Sequence, residues 1–73
     1  MSEYQEFLAE RDEIDYLIQQ GYQIIGVTEN LSGAFVEFSR TKKKVTEYER
    51  LHIKTAEARK YFSYLIIQQY TAT

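Results

Sequence analysis

The sequence contains no cysteine, no tryptophan and no proline, and it has one histidine, His52. One histidine without cysteine cannot supply the three or four ligands of an ordinary zinc site. His52 also lacks a serine or cysteine partner at a known catalytic spacing. We therefore expect no metal, no cofactor and no small-molecule substrate, and we predict that the protein is not an enzyme.

Long apolar segments are also missing. The longest unbroken apolar run covers residues 64–67, whereas a membrane-spanning helix needs about 20 residues. The first 15 residues are acidic and fit neither a secretory signal nor a transit peptide. The absence of cysteine fits a reducing compartment. We expect a cytoplasmic protein with no membrane partner.

The sequence does contain the composition of one small globular domain. It has 73 residues, of which 44% are hydrophobic and 27% charged, so we predict a single domain over residues 1–73. The net charge of −2 hides an asymmetry. Residues 1–37 carry eight acidic side chains and one arginine (−7), and residues 38–73 carry three acidic and eight basic ones (+5).

The first 20 residues have helical periodicity. Their apolar side chains recur at spacings of three, four and seven, at Tyr4, Phe7, Leu8, Ile14, Leu17 and Ile18. Ser2 followed by Gln5 has the form of a capping box, and Gly21 suits the position after the helix end. We predict a helix over residues 3–20. Its acidic residues are predicted to form a solvated face: Glu10, Asp12, Glu13 and Asp15.

Residues 22–40 have the composition of a β-hairpin, with β-branched and aromatic residues on both sides of the turn sequence 30–33. Residues 45–54 are predicted to form a third strand. Thr55 then suits the N-cap of a second helix, whose buried stripe is predicted to be Ala58, Phe62, Leu65, Ile66 and Gln69. The alternative is an α-β-β-α chain with one long C-terminal helix, since no glycine or proline follows Gly33.

These elements predict an α+β fold of order α-β-β-β-α, in which a three-stranded antiparallel meander has both helices on one face. Strand alternation assigns side chains to the two faces of the sheet. The covered face is predicted to hold Ile25, Val27, Val36, Phe38, Leu51 and Ile53. The open face is predicted to hold Ile24, Phe35, Tyr48, Arg50 and His52.

The unusual aromatic content suggests the main functional hypothesis. Seven tyrosines in 73 residues exceed what so small a core can bury, and tyrosine is enriched at protein interfaces. We predict a small interaction or regulatory module that binds a partner protein or a second copy of itself as a homodimer. The candidate interface residues are Phe35, Tyr48, Tyr61 and Tyr64.

A basic segment supplies the alternative hypothesis. Between residues 40 and 60 the chain carries eight basic side chains: Arg40, Lys42, Lys43, Lys44, Arg50, Lys54, Arg59 and Lys60. If they lay close together, they would form a surface for nucleic-acid phosphates, with Tyr48 or Phe35 stacking on bases. The same lysines also suit an ordinary solvated edge that discourages aggregation.

Overall fold

The computed structural model describes residues 2–71 and contains two helices and one three-stranded sheet. In chain order the elements are α1 (Glu3–Gln19), β1 (Gln23–Asn30), β2 (Gly33–Lys42), β3 (Val45–Ile53) and α2 (Ala56–Thr71). The predicted α-β-β-β-α fold is confirmed. Residues 45–53 form a strand, so the alternative of one long C-terminal helix is wrong.

Both ends of α1 are fixed by the residues that the sequence indicated. The Ser2 side chain accepts a hydrogen bond from the Gln5 amide at 3.2 Å. At the other end Gly21 has a φ of +91°, and the Tyr22 amide donates to the Leu17 carbonyl at 3.0 Å. This is the Schellman arrangement, which needs a left-handed residue after the helix and turns the chain into β1.

The sheet is antiparallel with strand order β1-β2-β3, which makes β1 and β3 its two edges. The first turn is closed by the Ser32 amide, which donates to the Asn30 side chain at 2.8 Å. Gly33 follows with a φ of +125°. A Cβ there would lie 2.6 Å from the Ile53 carbonyl oxygen, so only glycine fits this position.

The second turn has different chemistry. Lys42 pairs with Val45, and the two residues between them, Lys43 and Lys44, have φ values of +52° and +68°. A two-residue hairpin loop with both φ values positive is normally filled by Asn-Gly or similar pairs. Two lysines in this turn are therefore held in a backbone conformation that their side chains disfavour.

A β-bulge in β1 changes the predicted faces of two residues. Ile24 pairs with Phe38 and Gly26 pairs with the next residue of β2, which leaves Ile25 as the extra residue. Ile24 is consequently buried and Ile25 is 53% exposed, the reverse of the prediction. Beyond the bulge Val27 returns to the predicted face, but it is 37% exposed because β1 is an edge strand.

The core lies between the two helices and the covered face of the sheet. It consists of Ile14, Leu17, Tyr22, Ile24, Ala34, Val36, Phe38, Ile53, Ala58 and Phe62. Phe7, Leu51, Tyr61, Leu65 and Ile66 pack partly buried against it. The predicted α1 stripe does not extend to its ends, since Tyr4 is 67% and Ile18 36% exposed. Neither α1 nor α2 is long and apolar enough to cross a membrane.

Candidate interaction surfaces

Helix α2 has a buried side and an exposed apolar side. It begins at the predicted N-cap, where Thr55 Oγ accepts a hydrogen bond from the Ala58 amide at 3.2 Å. The side of α2 that faces the core carries the predicted stripe of buried and partly buried residues. On the other side Tyr64, Ile67 and Tyr70 recur every three residues and are 56%, 62% and 77% exposed, so they form one row along the helix.

This row lies beside the edge strand β1. The Gln69 side chain on α2 accepts from the Ile24 amide at 3.1 Å and donates to the Ile24 carbonyl at 2.9 Å, which ties the helix to the strand. One small groove is lined by residues of β1 together with Ile66 and Tyr70. We define the β1–α2 surface as the five exposed apolar residues Ile25, Val27, Tyr64, Ile67 and Tyr70.

A larger groove of about 540 Å³ adjoins the same surface at the start of α2. Tyr64 and Ile67 line it on the helix, and Glu29 lines it at the end of β1. Arg59 on α2 forms an ion pair with Glu29 at 2.5 Å, and both side chains are about half exposed. The groove therefore combines apolar walls with charges that already neutralise each other.

The open face of the sheet forms a second surface. Phe35 stacks on His52 with ring centroids 4.4 Å apart, and the Arg50 guanidinium lies 4.5 Å from the Phe35 centroid. The predicted placement of these residues on the open face agrees with the strand register. Phe35 is half-buried by these neighbours, whereas Tyr48 is 70% exposed. Tyr48 is thus the more accessible aromatic side chain of the two.

Tyr61 belongs to neither surface. Its hydroxyl donates to the Asp15 carboxylate on α1, and the side chain packs against the core. The hydrogen bond to Asp15, with partial burial, raises the pKa of Tyr61 to about 12. The four candidate interface residues are therefore spread over three regions: the open face (Phe35 and Tyr48), the helix pair (Tyr61) and the β1–α2 surface (Tyr64).

The basic residues are not collected on one face. Three of them have acidic partners: Arg40 pairs with Glu47, Arg59 with Glu29 and Lys60 with Glu57. Arg40 also donates to the Gln20 carbonyl at 2.7 Å. The hydrogen bond to Glu47 raises the pKa of Arg40 above its ordinary value.

Distance also separates the two ends of the basic segment. Lys42, Lys43 and Lys44 lie at the tip of the β2–β3 hairpin, and Arg59 and Lys60 lie beyond the far end of β3. Nine residues of β3 span roughly 30 Å. The hypothesis that turn, strand and helix start lie near one another is not supported by this arrangement.

The sequence predicts that the acidic residues of α1 form a solvated face, and for Glu10 this prediction is wrong. Glu10 is only 8% exposed. Its carboxylate accepts from the Lys54 amide at 2.7 Å, the Thr55 amide at 3.1 Å and the Thr55 hydroxyl at 2.6 Å. Glu10 thus joins α1 to the connection between β3 and α2, and it supports the residue that caps α2.

Sequence reasoning missed Ile25 and Val27 as exposed residues. Alternation gives no sign of the bulge that exposes Ile25, and it does not show that Val27 lies on an edge strand. The spacing of Tyr64, Ile67 and Tyr70 was the available signal for the helix part of the surface. Within residues 2–71 no three His, Asp or Glu side chains are grouped as metal ligands would be. No family model, no curated protein and no solved structure matches the chain.

Proposed function

We propose that the protein is a non-enzymatic interaction module that binds a protein chain through the β1–α2 surface. The observation that carries the proposal is a set of five exposed apolar side chains on two adjacent elements at the edge of a sheet. Ile25, Val27 and Tyr70 line one groove, and Tyr64 and Ile67 line another. Scattered apolar residues are normal on a protein surface, but a contiguous patch beside a groove is typical of an interface.

The total accessible surface supports a missing partner. The chain exposes 5407 Å², whereas a folded monomer of 8.7 kDa is expected to expose about 4,700 Å². The excess of about 700 Å² is close to the roughly 800 Å² that each partner buries in a standard interface. A partner on the β1–α2 surface would cover part of this excess.

Site-specific photo-crosslinking tests the proposal. A photoreactive phenylalanine analogue replaces Tyr64 in one variant and Tyr48, on the open face, in a matched control. We expect position 64 to crosslink to a protein chain in cells and position 48 to give little product. Equal crosslinking at the two positions, or none at position 64, would contradict the proposal.

A second candidate function is nucleic-acid binding by the hairpin tip. It is favoured by one observation: the last three pairs of the β2–β3 hairpin extend beyond β1 and present Lys42, Lys43 and Lys44 exposed at the end. Phosphate contacts release counterions, so affinity for an oligonucleotide should fall steeply with salt. Replacing the three lysines by glutamine should reduce the salt slope by up to about three units.

Fluorescence anisotropy with labelled single-stranded and duplex oligonucleotides measures this slope. Replacing Arg40, Arg59 and Lys60 by glutamine is the matched control, because these side chains have acidic partners. The second candidate is excluded if no oligonucleotide binds below about 100 μM in low salt, the weak limit of non-specific binding.

A further inference from the structure

The edge strand β1 has backbone groups that point away from the sheet. In an antiparallel pair these groups alternate between inward and outward directions. Ile24 directs both of its groups outward, since both bind the Gln69 side chain. Because the bulge adds Ile25 after Ile24, the next residues of β1 whose backbone groups point outward are Val27 and Glu29. Within residues 2–71, no group outside the sheet binds the backbone of either residue.

The contact with Gln69 shows that the outward backbone groups of β1 can bond to a group with one donor and one acceptor. The Gln69 amide gives one acceptor and one donor to Ile24, as a residue of a neighbouring strand would. It covers the first part of the edge and leaves the part from Val27 to Glu29 open. The only charged residue of β1 is Glu29, which is already paired with Arg59. Lysine and proline, which protect natural sheet edges, are absent from β1.

We infer that the occupant of the β1–α2 surface is a second copy of this chain, bound by antiparallel pairing of β1 with β1 across a two-fold axis. This inference rests on the proposed function. An axis at Thr28 places Val27 opposite Glu29 of the second copy, and Glu29 opposite its Val27. The residues of each pair then exchange two backbone hydrogen bonds. The two sheets become one of six strands, with both α2 helices on the same face.

The charges favour the symmetric arrangement. With the axis at Thr28, each Glu29 faces a valine and keeps its own Arg59, so no like charges meet. A head-to-tail arrangement would instead pair β1 with β3, which carries Glu47 and Glu49 on an exposed edge. It would bring Glu29 toward further carboxylates and would continue as an open polymer.

The exposed area leaves room for such an interface. A standard interface buries about 800 Å² on each partner, which is about a seventh of the 5407 Å² that the chain exposes. Strand pairing supplies the directional part of this interface. The row of Tyr64 and Ile67 on each α2 lies beside the new strand and supplies its apolar part.

Sedimentation equilibrium with variants at Thr28 tests the inference. Thr28 is exposed and pairs with Phe35 on the open face, so a substitution leaves the monomer folded. We expect the wild type to sediment at twice 8.7 kDa at about 100 μM, since interfaces of this size bind at micromolar or tighter affinity. Thr28→Lys and Thr28→Glu should each weaken the dimer by up to about fivefold, because like charges meet at the axis.

An equimolar mixture of the Thr28→Lys and Thr28→Glu variants should restore dimers. Thr46→Lys, on the opposite edge, is the matched control and should leave the dimer unchanged. A monomeric wild type, a ladder of higher masses, or dimers that ignore the charge at Thr28 would each overturn the inference. If the chain is monomeric while position 64 still crosslinks to another protein, the proposed function stands and the second copy does not.

Discussion

The two edges of the sheet differ in what they expose and in what holds them. The β3 edge carries charged side chains, including Glu47, Glu49 and Arg50, and charge on an edge discourages pairing with another chain. The β1 edge has one charged residue, Glu29, and lies beside the exposed apolar row of α2. One edge is therefore charged, and the other lies beside the exposed apolar side chains that we propose as an interface.

Each edge is fastened by one side chain from a helix, and the chemistry of each side chain fits the backbone groups it meets. Glu10 binds the connection that follows β3, where Lys54 and Thr55 direct three donors at its carboxylate. A carboxylate, which only accepts, suits that position. Gln69 meets both a donor and an acceptor at Ile24, and an amide supplies both.

The largest expected loss of stability is at Glu10, which holds the connection after β3. Glu10→Ala leaves the Lys54 amide, the Thr55 amide and the Thr55 hydroxyl without their acceptor, and should lower the free energy of unfolding by about 3 kcal/mol. Urea denaturation measures this loss. Glu13→Ala, on the exposed side of α1, is the control and should change stability little. A loss below about 1 kcal/mol for Glu10→Ala would show that the carboxylate does not hold this junction.

The β1 anchor should matter less. Gln69→Ala removes two neutral hydrogen bonds from a partly exposed position, for which we expect a loss of about 1 to 2 kcal/mol in urea denaturation. Gln68→Ala is the matched control, because the Gln68 amide reaches only the exposed Tyr64 hydroxyl. Equal effects of the two substitutions would contradict the role of Gln69 as a cap on the β1 edge.

Much of the fold can be predicted from the sequence, because the signals for the helix ends are local. Ser2, Gly21 and Thr55 mark the helix ends through their own backbone chemistry, and Gln69 falls on the predicted buried stripe. The bulge at Ile25 depends on how one strand is accommodated against another, which alternation does not reveal. The burial of Glu10 depends on donors that are 44 and 45 residues away along the chain.

The candidate site was less predictable for the same reason. Tyr64 was identified by its residue type, but the surface exists only because α2 lies against the β1 edge. Nothing local in the sequence places residues 64–70 beside residues 25–27. The basic run illustrates the converse, since residues that are close in sequence are separated by the length of β3.

Substitutions in the β2–β3 turn should raise the stability of the fold, unlike those at Glu10 and Gln69. Replacing Lys43 by Asn and Lys44 by Gly fills two left-handed positions with residues that suit them, and should stabilise the fold by about 1 kcal/mol. Thermal and urea unfolding measure the gain. Lys42→Asn, at a position without a positive φ, should give no gain. If the double variant is no more stable than the wild type, the turn carries no strain.

The smallest effect concerns the link between the helices. Because the pKa of Tyr61 is raised from 10.0 to about 12, its protonated hydroxyl stabilises the fold fully below pH 10, and this contribution is lost as the pH rises through 12. Absorbance titration should show one tyrosine ionising last. Tyr61→Phe should remove that step, and Asp15→Asn should bring it down toward pH 10. A late step that persists in Tyr61→Phe would assign it to another tyrosine.

The proposed pairing of two β1 edges across Thr28 is tested most directly by a single cysteine, because the chain has none. In such a pair the Cα atoms at the axis are about 4.5 Å apart, which suits a disulfide. Under mild oxidation Thr28→Cys should be captured almost completely as a covalent dimer, and Thr46→Cys on the β3 edge should stay largely monomeric. Equal crosslinking of the two variants, or none at position 28, would contradict the account.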